Sequence, residues 1–301
     1  MNRITAIACR MRRWVCFAAP LALMLNAHVS AAPVISESFD YPGGGASLAG
    51  ANGGTGWAGP WTDVGALPTG VGAAGLEWPD LAIAGGTAKT NASASFEYSV
   101  YQRPLPSFET PDNTVYVSFL LRPNAGYGTG GGLRFGNWPY TMTVGAHPGN
   151  YMYGLMTTNG LGDDSNVPVI EGTTVLLVAR IAKNVNNTIT YALYVDPTVG
   201  ALQPAFPDAA YTSPGAMPQF VQIFNDGGFS TDEIRVGTTW ASVLPTPPAC
   251  VGDFNGTGIV DGADLGFLLA FWNLPEGDLN GDGTTDGADL GILLASWGVC
   301  P

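Results

Sequence analysis

The last fifty residues hold one motif written twice, and a motif repeated in register constrains local architecture more tightly than composition can. Asp253-Phe-Asn255-Gly-Thr257-Gly258-Ile259-Val-Asp261-Gly-Ala-Asp264-Leu265 returns after 25 residues as Asp278-Leu-Asn280-Gly-Asp282-Gly283-Thr284-Thr-Asp286-Gly-Ala-Asp289-Leu290. Oxygen-bearing side chains fall at positions 1, 3, 5, 9 and 12 of each loop, the spacing by which a 12-residue loop wraps a hard cation in six to eight oxygens. Position 6, where such a loop turns sharply, is Gly258 in one copy and Gly283 in the other, and Ile259 and Thr284 offer the carbonyls at position 7. Each loop leads into an apolar stripe at helical spacing: Leu265, Leu268, Leu269 and Trp272, then Leu290, Leu293, Leu294 and Trp297. Two short helices with matching stripes can bury each other. The plainer alternative is an Asp/Asn/Gly-rich turn ahead of a helix, with Asp264 and Asp289 serving only as helix N-terminal residues.

These residues resemble the type I dockerin repeat, and the resemblance covers about residues 251–299. It implies a small all-α, calcium-binding, EF-hand-loop module over 250–301, after a linker at 245–249, with two Ca²⁺ sites. The implied ligands are Asp253, Asn255, Thr257, Ile259, Asp261 and Asp264 in the first loop, and Asp278, Asn280, Asp282, Thr284, Asp286 and Asp289 in the second. Thr257 puts a neutral hydroxyl where the family has a carboxylate, so the second loop is expected to bind more tightly. Cellulosomal dockerins also carry polar, hydroxyl-bearing pairs at positions 10 and 11 to grip a cohesin. Here those positions are Gly262-Ala263 and Gly287-Ala288, and no Lys or Arg follows Arg235. Calcium binding therefore carries over more safely than cohesin docking, and the tail's expected role is docking to some other protein partner, or stabilisation.

The chain opens with Arg3, Arg10, Arg12 and Arg13, continues with an apolar stretch from Trp14 to about Leu25, and reaches small residues at Val29-Ser30-Ala31-Ala32. This reads as a secretory signal peptide over residues 1–31. An uncleaved anchor needs around 20 apolar residues, which this stretch does not supply, so no membrane span is expected after cleavage. The expected location is extracellular or on the cell surface. Removing the signal takes four of the 11 basic residues and none of the 24 acidic ones. A chain so acidic repels phosphates, which excludes nucleic acid as an expected partner. Cys9 and Cys16 leave with the signal, and Cys250 and Cys300 remain, bracketing the repeat. In an oxidising compartment, with the neighbouring termini that dockerin-like folds have, a disulfide between them is expected; two free thiols are the alternative.

Between residues 33 and 244 the sequence is glycine-rich and charge-poor, with short strands separated by Gly, Pro, Asn and Asp. Val115, Val117, Phe119 and Leu121 alternate with Tyr116, Ser118, Leu120 and Arg122, and Ile189, Tyr191, Leu193 and Val195 alternate likewise. Val175–Ile181 is nearly continuous in apolar residues, as in a central strand, and Asn184–Asn187 is a hairpin turn signal. Ile234 and Val236 point one way, Glu233 and Arg235 the other. So many short strands suit a two-sheet jelly-roll sandwich. Glu37-Ser-Phe39-Asp40-Tyr41-Pro42, then Asn52-Gly-Gly-Thr-Gly56-Trp57 and Trp61, resemble the opening of the concanavalin A-like (laminin G-like) sandwiches. Asp232-Glu233-Ile234-Arg235-Val236-Gly237 is similar to their last strand. The resemblance implies a jelly roll of a kind that often binds glycans and sometimes cleaves them.

Evidence for catalysis is thin. His147 is the one histidine past the signal, and in Gly-Ala-His-Pro-Gly it reads as a solvent-exposed turn residue; a Ser/His/Asp triad would have to use it. The Glu-x-Asp-x-x-Glu spacing of sandwich glucanases does not occur. Asp163-Asp164 reads as a loop, and Asp232-Glu233 as neighbours on opposite sides of a strand. Trp57, Trp61, Trp78, Trp138, Tyr140, Tyr151 and Tyr153 could stack on sugars, or fill the core. The expectation is therefore a mainly β, secreted, non-catalytic protein: a jelly-roll sandwich with a polysaccharide as its ligand and a calcium-binding dockerin-like tail. The rival expectation is a glycoside hydrolase component that carries a dockerin.

Overall fold

The computed structural model describes residues 35–41, 47–65, 68–90, 98–107, 113–128, 130–136, 141–147, 149, 151–245 and 250–300. The expected signal peptide, Trp138, Tyr140 and most of the expected linker lie outside these residues. Two antiparallel sheets face each other. The first runs in the order β13 (Ala209–Pro214), β12 (Thr188–Val195), β11 (Val175–Lys183), β6 (Thr114–Pro123), β15 (Phe229–Gly237), β4 (Thr87–Lys89) and β3 (Gly70–Gly72), with β1 (Ile35–Glu37) also paired to β15. The second runs β10 (Gly162–Pro168), β9 (Met152–Thr157), β8 (Met142–Ala146), β7 (Gly130–Phe135), β14 (Phe220–Asp226), β5 (Ser99–Pro104) and β2 (Thr62–Asp63). The chain changes sheet between β1 and β2, β2 and β3, β4 and β5, β5 and β6, β6 and β7, β10 and β11, β13 and β14, and β14 and β15, which is jelly-roll winding.

The period-2 alternation decides what fills the space between the sheets. Val115, Val117, Phe119 and Leu121 meet Leu133, Phe135, Val144, Leu155, Val221 and Ile223 from the facing sheet. Each such side chain, fully buried, contributes about 1.5–3 kcal/mol. The apolar run at Val175–Ile181 is the central β11, flanked by β6 and β12 and buried on both faces. Leu177, Ala179 and Ile181 face the main core, whereas Leu176 and Val178 face a second cluster outside the first sheet, with Leu120, Tyr194 and Leu76. That cluster is roofed by α1 (Trp240–Val243), whose N-cap Thr239 forms a capping box with Ser242. β11 and β12 are joined through Asn184–Asn187, where Asn184 N–H donates to the Thr188 carbonyl at 2.8 Å.

One buried ion pair ties the two sheets together. Glu37 of β1 and Arg103 of β5 are almost fully buried, and the guanidinium donates to Glu37 Oε2. Its other donors reach the Gly59 carbonyl at 2.8 Å, Asn52 Oδ1 at 3.0 Å and the Gly53 carbonyl at 2.8 Å. Glu37 also accepts from Phe39 N–H at 2.9 Å, Tyr41 Oη–H at 2.7 Å and Trp61 Nε1–H at 3.0 Å. The Trp57 and Trp61 rings lie 4.6 and 5.6 Å from the guanidinium carbon. Burial and the adjoining carboxylate push the Tyr41 hydroxyl up to about 12.

The tail contains α2 (Gly262–Ala270), α3 (Gly287–Ala295), a 3₁₀ turn at Pro275–Gly277 and the short pair β16 (Ile259–Val260) with β17 (Gly298–Val299). It is therefore helical with one two-strand pairing. Leu268 and Leu293 are fully buried together with Val260, and Leu265 and Leu290 pack beside them. The expected stripes extend less far. Leu269, Trp272, Leu294 and Trp297 are 52%, 38%, 53% and 49% exposed: the two leucines lie within their helices but outside the small core, and the two tryptophans lie past the helix ends. Cys250 and Cys300 form the expected disulfide, with Cα atoms 5.4 Å apart.

Glu37→Ala removes the countercharge of a buried guanidinium and orphans three further donors. The expected loss of stability is about 3–5 kcal/mol, read by chemical denaturation. A loss below about 1 kcal/mol would show that water reaches Arg103 and that the pair does not hold the sheets together.

Candidate functional site

The twin loops of the tail fold their side chains onto their own backbones. In the first, Asp253 Oδ1 and Asn255 Oδ1 both accept from Thr257 N–H at 3.1 Å, and Asp253 Oδ2 accepts from Gly258 N–H at 2.8 Å. In the second, Asp278 Oδ1 and Asn280 Oδ1 share Asp282 N–H at 3.2 and 2.8 Å, and Asp278 Oδ2 accepts from Gly283 N–H at 2.6 Å. Two oxygens on one N–H necessarily lie close together, so positions 1 and 3 converge in both loops. Gly258 and Gly283 have φ of +78° and +95°, the region glycine enters without strain.

Position 12 takes the helix N-terminal role weighed from the sequence, and each carboxylate also reaches back to its own loop. Asp264 accepts from Phe254, Asn255 and Asp261 N–H, and Asp289 from Leu279, Asn280 and Asp286 N–H, so each closes a helix capping box and gathers its loop. Those backbone donors hold both carboxyls below the usual range. Asp261 and Asp286 turn toward their helices, accepting from Ala263 and Ala288 N–H at 2.8 and 2.7 Å. The copies differ at position 5: the Thr257 hydroxyl donates to the Ile259 carbonyl at 3.3 Å, whereas Asp282 accepts from Thr284 N–H at 3.0 Å. The donor set is all oxygen, and the tail's carboxylates have no Lys or Arg beside them in the sequence after Arg235, which fits a hard divalent cation. Cys250, Cys300 and Asp253 also lie together, but the disulfide consumes both thiolates, so they are not a thiolate metal site.

On the sandwich, a polar row crosses the outer face of the second sheet. Gln102 on β5, Gln222 on β14, Arg134 on β7 and Thr143 on β8 are register neighbours. They alternate with core residues, so they point away from the first sheet. Gln222 Nε2 donates to Gln102 Oε1 at 3.0 Å and Arg134 Nε to Thr143 Oγ1 at 3.2 Å. The Arg134 guanidinium lies 3.5 Å from the centroid of Phe224, whose ring in turn packs against Tyr98 at 6.1 Å. Amides, a cation and ring faces thus stand side by side. Sequence reading missed this row because alternation marks the apolar positions, and only strand register shows which polar ones share a line. Farther along the face, Gly132 and Gly145 stand opposite each other, where a Cβ on either would come within 2.2 Å of a carbonyl on the facing strand.

Several expected features fall differently. Trp61 and Tyr153 are core residues, and Trp57 packs on that core over Arg103. Trp78 is half-buried and Tyr151 is 56% exposed. His147 is not a solvent-exposed turn residue: it is 5% exposed and its Nδ1 meets Asp164 Oδ1. Burial lowers its pKa, outweighing the raising effect of Asp164. Asp163 and Asp164 lie on β10 rather than in a loop. Ser165, the adjacent hydroxyl, is committed to the Tyr153 carbonyl at 2.6 Å.

Asp232 and Glu233 do not face opposite sides. A bulge between Asp232 and Arg235, with Glu233 at φ +51°, breaks the alternation. Both carboxylates then reach one covering segment, Asp232 accepting from Leu76 N–H at 2.7 Å and Glu233 from Ala84 N–H at 2.6 Å. Glu233 also pairs with Arg235 at 2.6 Å. Burial raises Asp232 to about 8. The pair is enclosed, and it serves to fasten residues 76–84 over the sheet.

No family model matches the chain, and no curated protein matches it. Among solved structures, an endo-β-1,4-glucuronan lyase from the fungus Trichoderma reesei is similar at 12% identity, covering 70% of this chain and 98% of that one, with a TM-score of 0.37. Domain 4 of an extracellular arabinanase from Geobacillus stearothermophilus, in complex with arabinotriose, is similar at 14% identity over 72% and 100%, with a TM-score of 0.38. A xylan-binding domain from Paenibacillus barcinonensis is similar at 12% identity over 69% and 96%, with a TM-score of 0.32. These are coarse likenesses of shape; the sandwich rests on its own strand pairing.

A carboxyl whose folded pKa is raised is protonated in the native state over a range where the unfolded chain is ionised. Asp232 therefore makes stability fall as pH rises from about 4 to about 8. His147, shifted downward, acts in the opposite direction, so the informative quantity is the difference between wild type and Asp232→Asn. Urea midpoints across that range should decline less steeply in the variant; parallel curves would mean that Asp232 stays ionised in the folded protein.

Proposed function

We propose that this is a secreted, non-catalytic, two-part protein: a jelly-roll sandwich that binds a polysaccharide on the outer face of its second sheet, followed by a dockerin-like tail that holds two Ca²⁺. The observation that carries the sandwich reading is the row Gln102, Gln222 and Arg134 beside Phe224 and Tyr98, with buried Thr143 bracing the guanidinium. Amide and guanidinium groups bond sugar hydroxyls, and ring faces cover the apolar C–H faces of a pyranose. Asp163, Asp232 and Glu233 accept from backbone N–H groups and Asp164 pairs with buried His147, so these carboxylates are not disposed as a glycosidase acid/base pair.

In the tail, Asp253, Asn255, Thr257, Ile259 and Asp264 would hold one cation and Asp278, Asn280, Asp282, Thr284 and Asp289 the other, with Asp261 and Asp286 at position 9. The bound ions would neutralise carboxylates and fix the loops. They would do so more strongly in the second, where Asp282 supplies a charge that Thr257 lacks.

Affinity electrophoresis in gels containing soluble polysaccharides tests the sandwich. At least one polysaccharide should retard the protein, and Arg134→Ala or Gln222→Ala should weaken that retardation by roughly tenfold, equivalent to about 1.4 kcal/mol. Release of oligosaccharides by the wild type would overturn the non-catalytic reading. For the tail, calorimetric titration should find two Ca²⁺ per chain, with Asp278→Ala removing the tighter site and Asp253→Ala the weaker. Equal affinities would remove the role given to Thr257, and no uptake would remove the calcium reading.

A further inference from the structure

The two junctions between the tail's repeats are built alike except in their covalent chemistry. At the inner junction, Asn273 and Leu274 leave α2 and lie on the second loop: Asn273 N–H donates to the Thr285 carbonyl at 2.9 Å, and Thr285 N–H to the Leu274 carbonyl at 2.8 Å. Pro275 then carries the chain directly onward, its carbonyl accepting from Asp278 N–H at 3.3 Å. At the outer junction, Gly298 and Val299 leave α3 and pair with Val260 and Ile259 of the first loop. Gly298 and Asn273 occupy equivalent places, and both have positive φ, +121° and +66°. One residue on, Cys300 N–H donates to the Gly258 carbonyl at 3.0 Å, and the Cys250 carbonyl accepts from Asp253 N–H at 3.1 Å, as Pro275 does from Asp278. Cys250 and Cys300 are separated by 50 residues, two repeats of 25, and Pro275 lies midway. One residue at the inner junction is thus matched at the outer by two, joined through sulfur.

From this correspondence we infer that the disulfide takes the place of the missing peptide link, closing the tail into a two-repeat ring in which the first loop is ordered under redox control and the second is not. The second loop is tethered on both sides by continuous chain. The first is tethered by the disulfide at the point where Cys250 leads into Asp253 and Val299 lies on Ile259; Cys300 Sγ is 3.8 Å from Asp253 Oδ2. A dithiol reductant delivers two electrons and two protons to the bond, leaving thiols at Cys250 and Cys300 and itself becoming a cyclic disulfide. What then remains at the outer junction is a two-residue strand pair, the Cys300–Gly258 hydrogen bond and the packing of Val260 on Leu268 and Leu293, with no covalent link to hold them in register. The consequence for cations rests on the calcium reading above: Asp253 and the Ile259 carbonyl lie in the released half, and Asp278 and the Thr284 carbonyl do not.

The full chain, oxidised, treated with dithiothreitol, and as Cys250→Ser/Cys300→Ser, tests this with two readouts. In chelator, amide hydrogen exchange at Val260 and Cys300 should accelerate more than about tenfold on reduction while Thr285 stays within about twofold. Equal acceleration in both loops, or none in either, overturns the ring. In calcium, calorimetry should show the site removed by Asp253→Ala weakened more than about tenfold on reduction, and the site removed by Asp278→Ala unchanged. A uniform loss at both sites also overturns it. Selective exchange with no calcium uptake even by the oxidised protein would support the ring and refute the calcium reading, so the two ideas fail separately.

Discussion

Arg103 is brought into the interior of the sandwich as a cation, and most of the open end of the fold is arranged around that fact. A buried guanidinium is tolerable only when its donors are met and its charge is opposed. Glu37 opposes the charge, and the Gly59 carbonyl, Asn52 and the Gly53 carbonyl take the remaining donors. Glu37 comes from β1, which is paired to β15, whereas Asn52, Gly53 and Gly59 lie ahead of β2 in residues 47–61, where pairing is confined to isolated bridges at Ser47 and Thr55. The ion pair and its partners therefore anchor Asn52, Gly53, Gly59 and Trp61, as ladder hydrogen bonds anchor β6, β11 and β12, and they do so across the gap between the sheets. Trp57 and Trp61 complete the enclosure by presenting ring faces to the cation and keeping water from it.

A second polar fastening works on the opposite face of the first sheet. The bulge in β15 turns Asp232 and Glu233 toward the same side, where each captures a backbone N–H of the segment covering Leu76 and Leu81. With Trp240 and Val243 from α1, this segment makes a small core on a face that an ordinary sandwich leaves to solvent. That is why β11 is apolar on both sides. The second sheet has no comparable roof among the described residues, and its outer face keeps the amides, the guanidinium and the rings on which the binding reading depends.

The tail obeys a different economy. The only apolar side chains these nine-residue helices bury completely are Leu268 and Leu293, so the tail's order comes chiefly from loop hydrogen bonds, the capping boxes of buried Asp264 and Asp289, and the disulfide. Repetition makes this workable, since each loop is closed by the segment that leaves the other repeat's helix. The tail carries exposed leucines and tryptophans at equivalent places in both repeats, the leucines within α2 and α3 and the tryptophans past their ends.

Sequence alone determined the features whose physics is local. Alternation over residues 115–121 and 189–195, the apolar run of β11, its hairpin to β12, the glycines at loop position 6 and the paired short helices all follow from periods and turn chemistry set within a dozen residues, and the structure has them. The bracketing cysteines were legible for the same reason. Tertiary structure alone decided what depends on register and enclosure. It buried His147 against Asp164, placed Asp232 and Glu233 on one side through a bulge, and sent Trp57 and Trp61 to Arg103 instead of to solvent. It also aligned Gln102, Gln222, Arg134 and Thr143 across four strands that are far apart in the chain. A one-residue shift in pairing would turn that row toward the core, and no local pattern records which register the strands adopt.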